Sequence, residues 1–156
     1  MITTEQLNTA VEQNVRAALL EDIGDGDITA QLIPSTQSAK AKVIARENGV
    51  LCGVDWVIHV FQTIDPNIKL DWQLKDGDSF TKNQTLFECK GYARGILTAE
   101  RSALNFLQLM SGTATICRHY ADIVEGIDVK LLDTRKTIPG LRVAQKYAVT
   151  QGGCYN

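Results

Sequence analysis

The chain has 156 residues, enough for one ordinary domain or for a small domain plus part of another, and short for a large barrel. Hydrophobic residues make up 44% and charged residues 22%, with only 3 prolines, which excludes a disordered tail and predicts a packed core. The net charge of -2 arises from 16 basic and 18 acidic residues without a long run of either sign, so a footprint for nucleic acid or anionic membrane is excluded and small-molecule chemistry is expected. Cys52, Cys89, Cys117 and Cys154 are scattered, with no C-x-x-C pair, and suggest reduced thiols rather than zinc or disulfides. The amphipathic start of the chain, with Glu5, is wrong for a signal peptide, and no segment is long enough to span a bilayer. A cytoplasmic location is expected.

Thr3 and Gln6 can form a capping box, and Leu7, Ala10, Val11, Val15, Ala18 and Leu19 recur behind it at helical spacing. Residues 21–29 (EDIGDGDIT) read as a loop in which Gly24 and Gly26 permit positive φ and Asp27 caps the next element. Two short strands are expected over residues 39–46 and 50–52, the second bracketed by Gly49 and Gly53. Val54, Val57, Ile58, Phe61 and Ile64 keep a helical period that ends at Asp65-Pro66. Residues 68–75 alternate apolar and polar, the period of a half-buried strand; Asp76-Gly77-Asp78 reads as a hairpin turn, and residues 85–90 return as a strand.

Leu97, Leu104, Leu107 and Met110 predict a long helix that Ser111-Gly112-Thr113 breaks, with a second helix after it carrying Ile116, Tyr120, Ile123 and Val124. A short apolar strand over 129–132, a polar loop and a helix over 141–150 then read as the start of an α/β layer. With Gly152 and Gly153 announcing another loop, that strand has no expected parallel partner. The fold class expected is therefore an α+β N-terminal domain, an antiparallel sheet with helices, over residues 1–110. Residues 111–156 come after it as the first strand and helices of an incomplete α/β barrel.

The polar loop carries the clearest chemistry. Thr134, Arg135, Lys136 and Thr137 sit just past the predicted strand, the end at which α/β architectures bind ligands. Arg135 offers a planar fork for carboxylate or phosphate, Lys136 a compact cation and the threonines hydroxyls, a set suited to an anionic substrate. The same residues also read as a solvated basic loop with Thr137 capping the next helix. Arg101 stands after Glu100 on a helix and by itself reads as a surface residue paired with a neighbouring acid. His59 and His119 have no partner at metal-ligand spacing, and Asp22, Asp25 and Asp27 read as turn and cap residues before they read as a metal site. No nucleophile, triad or Walker-type loop is present, so no catalytic residue is assigned and no metal site is expected in this chain.

Five segments in order, 21–29 (EDIGDGDIT), 45–53 (ARENGVLCG), 99–106 (AERSALNF), 133–142 (DTRKTIPGLR) and 146–149 (KYAV), resemble the quinolinate phosphoribosyltransferases over nearly the whole chain. ERSALNF and DTRKTIPGLR are specific; the acidic glycine loop is not. The resemblance implies a small domain preceding an incomplete α/β barrel, with active sites at a dimer interface. It implies conversion of quinolinate and phosphoribosyl pyrophosphate, with Mg2+, to nicotinate mononucleotide, pyrophosphate and carbon dioxide. By resemblance, Arg101 reaches into the partner subunit's site, and Thr134, Arg135 and Lys136 belong to the substrate-binding loop. A dianionic pyridine and a polyphosphate must be neutralised before their reacting atoms approach, which agrees with these roles.

After KYAV the family reads into three glycines, an asparagine and a His-Arg pair, whereas here Gly152 and Gly153 lead into Cys154, Tyr155 and Asn156. Cys154 stands where the third glycine is expected. The family's later lysine and acids are not in this sequence, so the chain alone is expected to be inactive and unstable beyond about residue 110. Three other readings compete: a relative with a different substrate, a lipoyl-like binding module, which would need a modifiable lysine at the tip of the 76–78 turn where Lys75 stands instead at a strand end, and a non-catalytic gene fragment with no function of its own.

Overall fold

In a computed structural model, all residues except Met1, Asp25 and Asp27 are described, with the side chains of residues 28 and 29 also set aside. Helix α1 (Thr4–Ile23) opens with the expected capping box, Thr3 accepting from the Gln6 amide at 3.2 Å and Gln6 accepting from the Thr3 amide at 3.0 Å. It runs further than its apolar pattern suggests. Residues 21–23, expected in a loop, form its last turn and Gly24 ends it at φ 51°. The expected cap at Asp27 lies outside the described residues. A short helix α2 (Ile28–Gln31) comes next, with Arg94 donating to the carbonyls of Ile33 and Gln31.

Strands β1 (Ser38–Ile44), β2 (Gly49–Val50), β3 (Lys69–Trp72), β4 (Ser79–Phe80) and β5 (Thr85–Tyr92) surround helix α3 (Val54–Ile64) in sequence. They form two antiparallel sheets, β1-β5-β3 and β2-β4. In the first, Lys42 faces Glu88 and Trp72 faces Phe87, whose rings lie 4.4 Å apart. The expected antiparallel pairing of the strand before this turn with the returning strand at residues 85–90 is found as β3 with β5, but the connection is not a tight hairpin, because the short β4 intervenes and joins the other sheet. At the turn itself the Asp76 carboxylate reaches to α3 instead of capping its own turn. Its Oδ1 accepts from the Gly53 and Val54 amides at 3.0 and 3.1 Å, capping α3 from a distant segment. Gly53 itself has no side chain to do so, and its φ of 111° with Met110 3.2 Å from a would-be Cβ keeps it glycine. The same geometry removes the lipoyl-like reading, since Lys75 does not stand at the tip of a hairpin.

Helix α4 (Ala93–Ile123) is one continuous helix of 31 residues. The expected break at residues 111–113 does not occur. Ser111 is buried and its hydroxyl both donates to the Cys52 carbonyl and accepts from the Cys52 amide, while Thr115 accepts from the Val50 amide at 2.9 Å. Gly112 faces open space. Residues that break an isolated helix here dock it against β2. The final helix, α5 (Arg142–Gln151), buries Ala144, Ala148 and Val149, and the first two join one core with Trp56, Val57, Phe87, Met110 and Ala114. Among the described residues no helix is long and apolar enough to cross a membrane.

Asp76 also receives the Tyr147 hydroxyl from α5 at 2.9 Å, so one carboxylate joins the turn, α3 and α5. Burial raises its pKa, against the lowering effect of the Val54 amide, the Tyr147 hydroxyl and the Gly53 amide. A raised pKa in the folded state means that its protonated form is favoured by folding: that contribution is present below the ordinary carboxyl pKa and is lost as pH rises through the raised value. Asp76→Ala should cost about 1–3 kcal/mol in urea unfolding, as a cap is lost and amides are left unpaired. Asp76→Asn, which cannot ionise, should gain on the native protein as pH rises from about 4 towards neutrality, a trend that parallel urea midpoints will show or refute.

Candidate anion-binding site

Residues 129–132 do not form an extended strand. Instead Leu132 makes a single parallel bridge with Tyr155, supported by bonds from the Tyr155 amide to the Leu131 carbonyl at 2.9 Å and from the Asp133 amide to the Tyr155 carbonyl at 3.0 Å. The expected absence of a parallel neighbour is thus corrected. The turn at Gly152-Gly153 reverses the chain and brings Cys154 and Tyr155 back alongside Leu131 and Leu132. Gly152 is buried against α4, where a Cβ would stand 2.4 Å from both the Ala114 carbonyl oxygen and the Cys117 Cβ. Arg118 of α4 donates to the Gly152 carbonyl at 3.2 Å.

Cys154 needs no glycine at its position. Among the described non-glycine residues only Asn83 takes a positive φ, and the Cys154 thiol donates to the Cys117 carbonyl at 3.4 Å. Burial first, and then the neighbouring Cys154, push the Cys117 thiol up to about 11, so it stays protonated and unreactive at neutral pH.

Beyond the bridge the loop is braced by α5. Lys146 donates to both Asp133 carboxylate oxygens at 2.8 Å and to Asn156 Oδ1 at 3.1 Å. Gln145 accepts from the Ile138 amide at 3.0 Å and Arg142 donates to Thr137 at 3.3 Å. Arg142, Gln145 and Lys146, three and four residues apart, lie on one helix face. On the other side Asn14 of α1 donates to the Gly140 carbonyl and accepts from the Trp56 indole. Sequence reasoning missed this bracing face, although its spacing directly after the basic loop is visible.

Between these fixed points Thr134, Arg135 and Lys136 are all exposed. Thr134 Oγ1 accepts from the Lys136 amide at 3.1 Å, a local turn that sets the shape of the loop while leaving the hydroxyl proton to donate outwards. Thr137 does not cap α5, whose first residue is Arg142. Arg101 lies elsewhere, on α4, and pairs with Asp22 of α1 at 2.7 Å. The guanidinium side chain is 73% exposed, so this ion pair is worth only about 0–1 kcal/mol and guides the arginine more than it locks it. Leu97, Leu104, Asn105 and Gln108 continue from it along a groove of about 360 Å³.

A loop directly after a parallel bridge, with an arginine and a lysine exposed on it, is an arrangement suited to capture of an anion. Residues 27–111 match the family model for the quinolinate phosphoribosyl transferase N-terminal domain, and residues 113–156 match the model for the C-terminal domain. The chain belongs to this family. It is 40% identical over 144 residues to quinolinate phosphoribosyltransferase (decarboxylating) 1 of Nicotiana glauca, covering 91% of this chain and 41% of that protein. The solved nicotinate-nucleotide pyrophosphorylase of Francisella tularensis superposes with a TM-score of 0.92 at 48% identity, covering 96% of this chain and 54% of that one. That of Ehrlichia chaffeensis gives 0.88 at 40% identity, with 92% and 53% coverage. The chain therefore spans about half the length of the relatives it matches. As a quinolinate phosphoribosyltransferase family member, it places the basic loop at residues 134–136 within the part matched by the C-terminal model and Arg101 within the part matched by the N-terminal one.

Because Gly152 positions the returning segment, Gly152→Ala should destabilise the protein by about 1–3 kcal/mol through overpacking. Hydrogen exchange at the Tyr155 and Asp133 amides should speed up more than exchange in α3. Equal acceleration everywhere would show that Gly152 has no special hold on the strand pair.

Proposed function

We propose that the protein formed with this chain is a cytoplasmic quinolinate phosphoribosyltransferase, converting quinolinate and phosphoribosyl pyrophosphate to nicotinate mononucleotide, pyrophosphate and carbon dioxide. The observation that carries this reading is the loop at residues 134–136, braced at both ends and presenting Arg135 and Lys136 to solvent just past the Leu132–Tyr155 bridge. The Arg135 guanidinium suits bidentate pairing with a carboxylate, Lys136 adds a point charge, and the Thr134 hydroxyl donates a further hydrogen bond. Together they orient a dianionic ring and offset its charge, so that a polyphosphate donor can approach. The division of residues 1–110 from residues 111–156 as two domains belongs to the same reading, with α4 running from one into the other.

Arg101 serves the site of a second copy in a homodimer. Its exposure and the groove beside it support this role. Mg2+ accompanies the phosphoribosyl pyrophosphate in this reading. Among the described residues no group of three or more His, Cys, Asp or Glu could hold a metal ion, and no step is assigned through it.

Joined to the C-terminal half of the Francisella tularensis relative, the chain should make nicotinate mononucleotide. In that chimera Arg135→Ala should lower kcat/KM about a hundredfold. A chimera that folds and dimerises yet forms no product would count against the substrate assignment. Mixing Arg101→Ala subunits with Arg135→Ala subunits should restore activity through the one site that keeps both arginines; heterodimers that stay inactive would rule out the shared site.

A further inference from the structure

We infer that Lys146 is a positioning residue for the anion-binding loop, clamping the ends of two adjacent parallel segments so that Arg135 and Lys136 are presented in one fixed orientation. This inference rests on the reading of residues 134–136 as the substrate loop. Lysine carries three donors and no acceptor. Here all three are used, two on the Asp133 carboxylate at 2.8 Å and one on Asn156 at 3.1 Å. The ammonium therefore has no donor left for a ligand, which separates it from Lys136 even though both are lysines of the same region.

Its partners define what it holds. Asp133 is the last residue before Thr134, and Asn156 comes directly after Tyr155, whose backbone already bonds to Leu131 and Asp133. The ammonium thus closes a small ring in which backbone bonds fix the two segments and a charged bond fixes their ends. The side chains of Lys146 and Asp133 are only 19% and 12% exposed, so the pair is shielded from the screening that makes surface ion pairs weak. The far end of the loop is held by Gln145 and Arg142, also from α5, but through a neutral amide and a hydroxyl. Of these three side chains Lys146 is the one paired with a carboxylate. If it were lost, Asp133 would be left as a shielded, unpaired carboxylate and the loop would lose its hold at the end next to Thr134.

Two roles can be told apart. If Lys146 only neutralises Asp133, removing both charges should restore everything. If it positions the loop, removing both should restore stability and not loop order. The experiment is 15N relaxation on the chimera with the Francisella tularensis C-terminal half and on its Lys146→Met, Lys146→Arg and Asp133→Asn/Lys146→Met variants, each titrated with quinolinate. Backbone order parameters at residues 134–136 should drop from about 0.85 to below about 0.6 in Lys146→Met, with those of α3 unchanged. The double variant should regain the unfolding midpoint but keep the disordered loop, and Lys146→Arg should recover most of the order. Where Lys146→Met fails to fold, the double variant carries the test. Loop order in the double variant equal to that of the unmodified chimera would overturn the inference, whatever the chimera binds. The quinolinate dissociation constant should rise about tenfold or more with the loss of order. Should the loop respond as expected while neither the unmodified chimera nor a variant shifts with quinolinate, the positioning role stands and the substrate reading fails.

Discussion

The buried start of α3 sets the constraint on which the position of the basic loop depends. The helix begins at Gly53, which has no side chain to cap it, with Leu51 and Cys52 fully buried just before it. Its first amides require an acceptor from elsewhere, because an unpaired buried amide costs about as much as a lost hydrogen bond. Asp76 supplies one oxygen to those amides and leaves the other for Tyr147. The phenol is itself held neutral, its pKa raised by burial and by the adjacent Asp76, so it keeps the proton that it donates to Asp76. Through Tyr147 the register of α5 is tied to the cap of α3, and through Lys146, the next residue back, the register of α5 is tied to Asp133. A carboxylate in a turn of the antiparallel region thereby helps to fix a loop more than fifty residues later in the chain.

Helix α4 provides the second axis of the molecule. At 31 residues it extends about 46 Å, long enough to carry Arg101 near one end and Arg118 against the Gly152 carbonyl near the other. Matches to the two family models meet at residues 111 and 113, inside this helix. The junction is thus not a flexible linker. Ser111 bonds to Cys52 and Thr115 to β2 there, so the two matched regions share one rigid element and one core.

What could be read from the sequence was what local chemistry decides. The Thr3–Gln6 capping box, the helix Val54–Ile64 ending before Pro66 and the strand alternation around Leu70 and Trp72 each depend on neighbours within a few residues. The errors share the opposite cause. Ser111-Gly112-Thr113 breaks a helix only if its hydroxyls have no better partner, and the Cys52 backbone, 59 residues away, is one. Asp76-Gly77-Asp78 reads as a tight hairpin between β3 and β5, whereas β4 intervenes and pairs with the distant β2. The parallel bridge between Leu132 and Tyr155 depends on the tight approach of Gly152 to α4, which no periodicity announces. At the basic loop the residue types were legible, but the face of α5 that braces them was not. Its members, Arg142, Gln145 and Lys146, read as an ordinary polar helix surface when their partners are unknown.

The same contrast explains why charge alone is a poor guide to role in this region. Arg142, Lys146, Arg135 and Lys136 lie within twelve residues of one another. Arg142 meets a hydroxyl and Lys146 a shielded carboxylate, so their donors serve the fold. Arg135 and Lys136 lie on the exposed turn that Thr134 shapes, where a cation gains little from its own protein and is left hydrated. A hydrated cation on a flexible loop binds anions weakly, since each capture must also freeze the loop. Bracing the loop in advance removes that cost without consuming the charges themselves. In the proposed anion site, bracing by Arg142 and Lys146 would therefore contribute to affinity alongside the exposed cations.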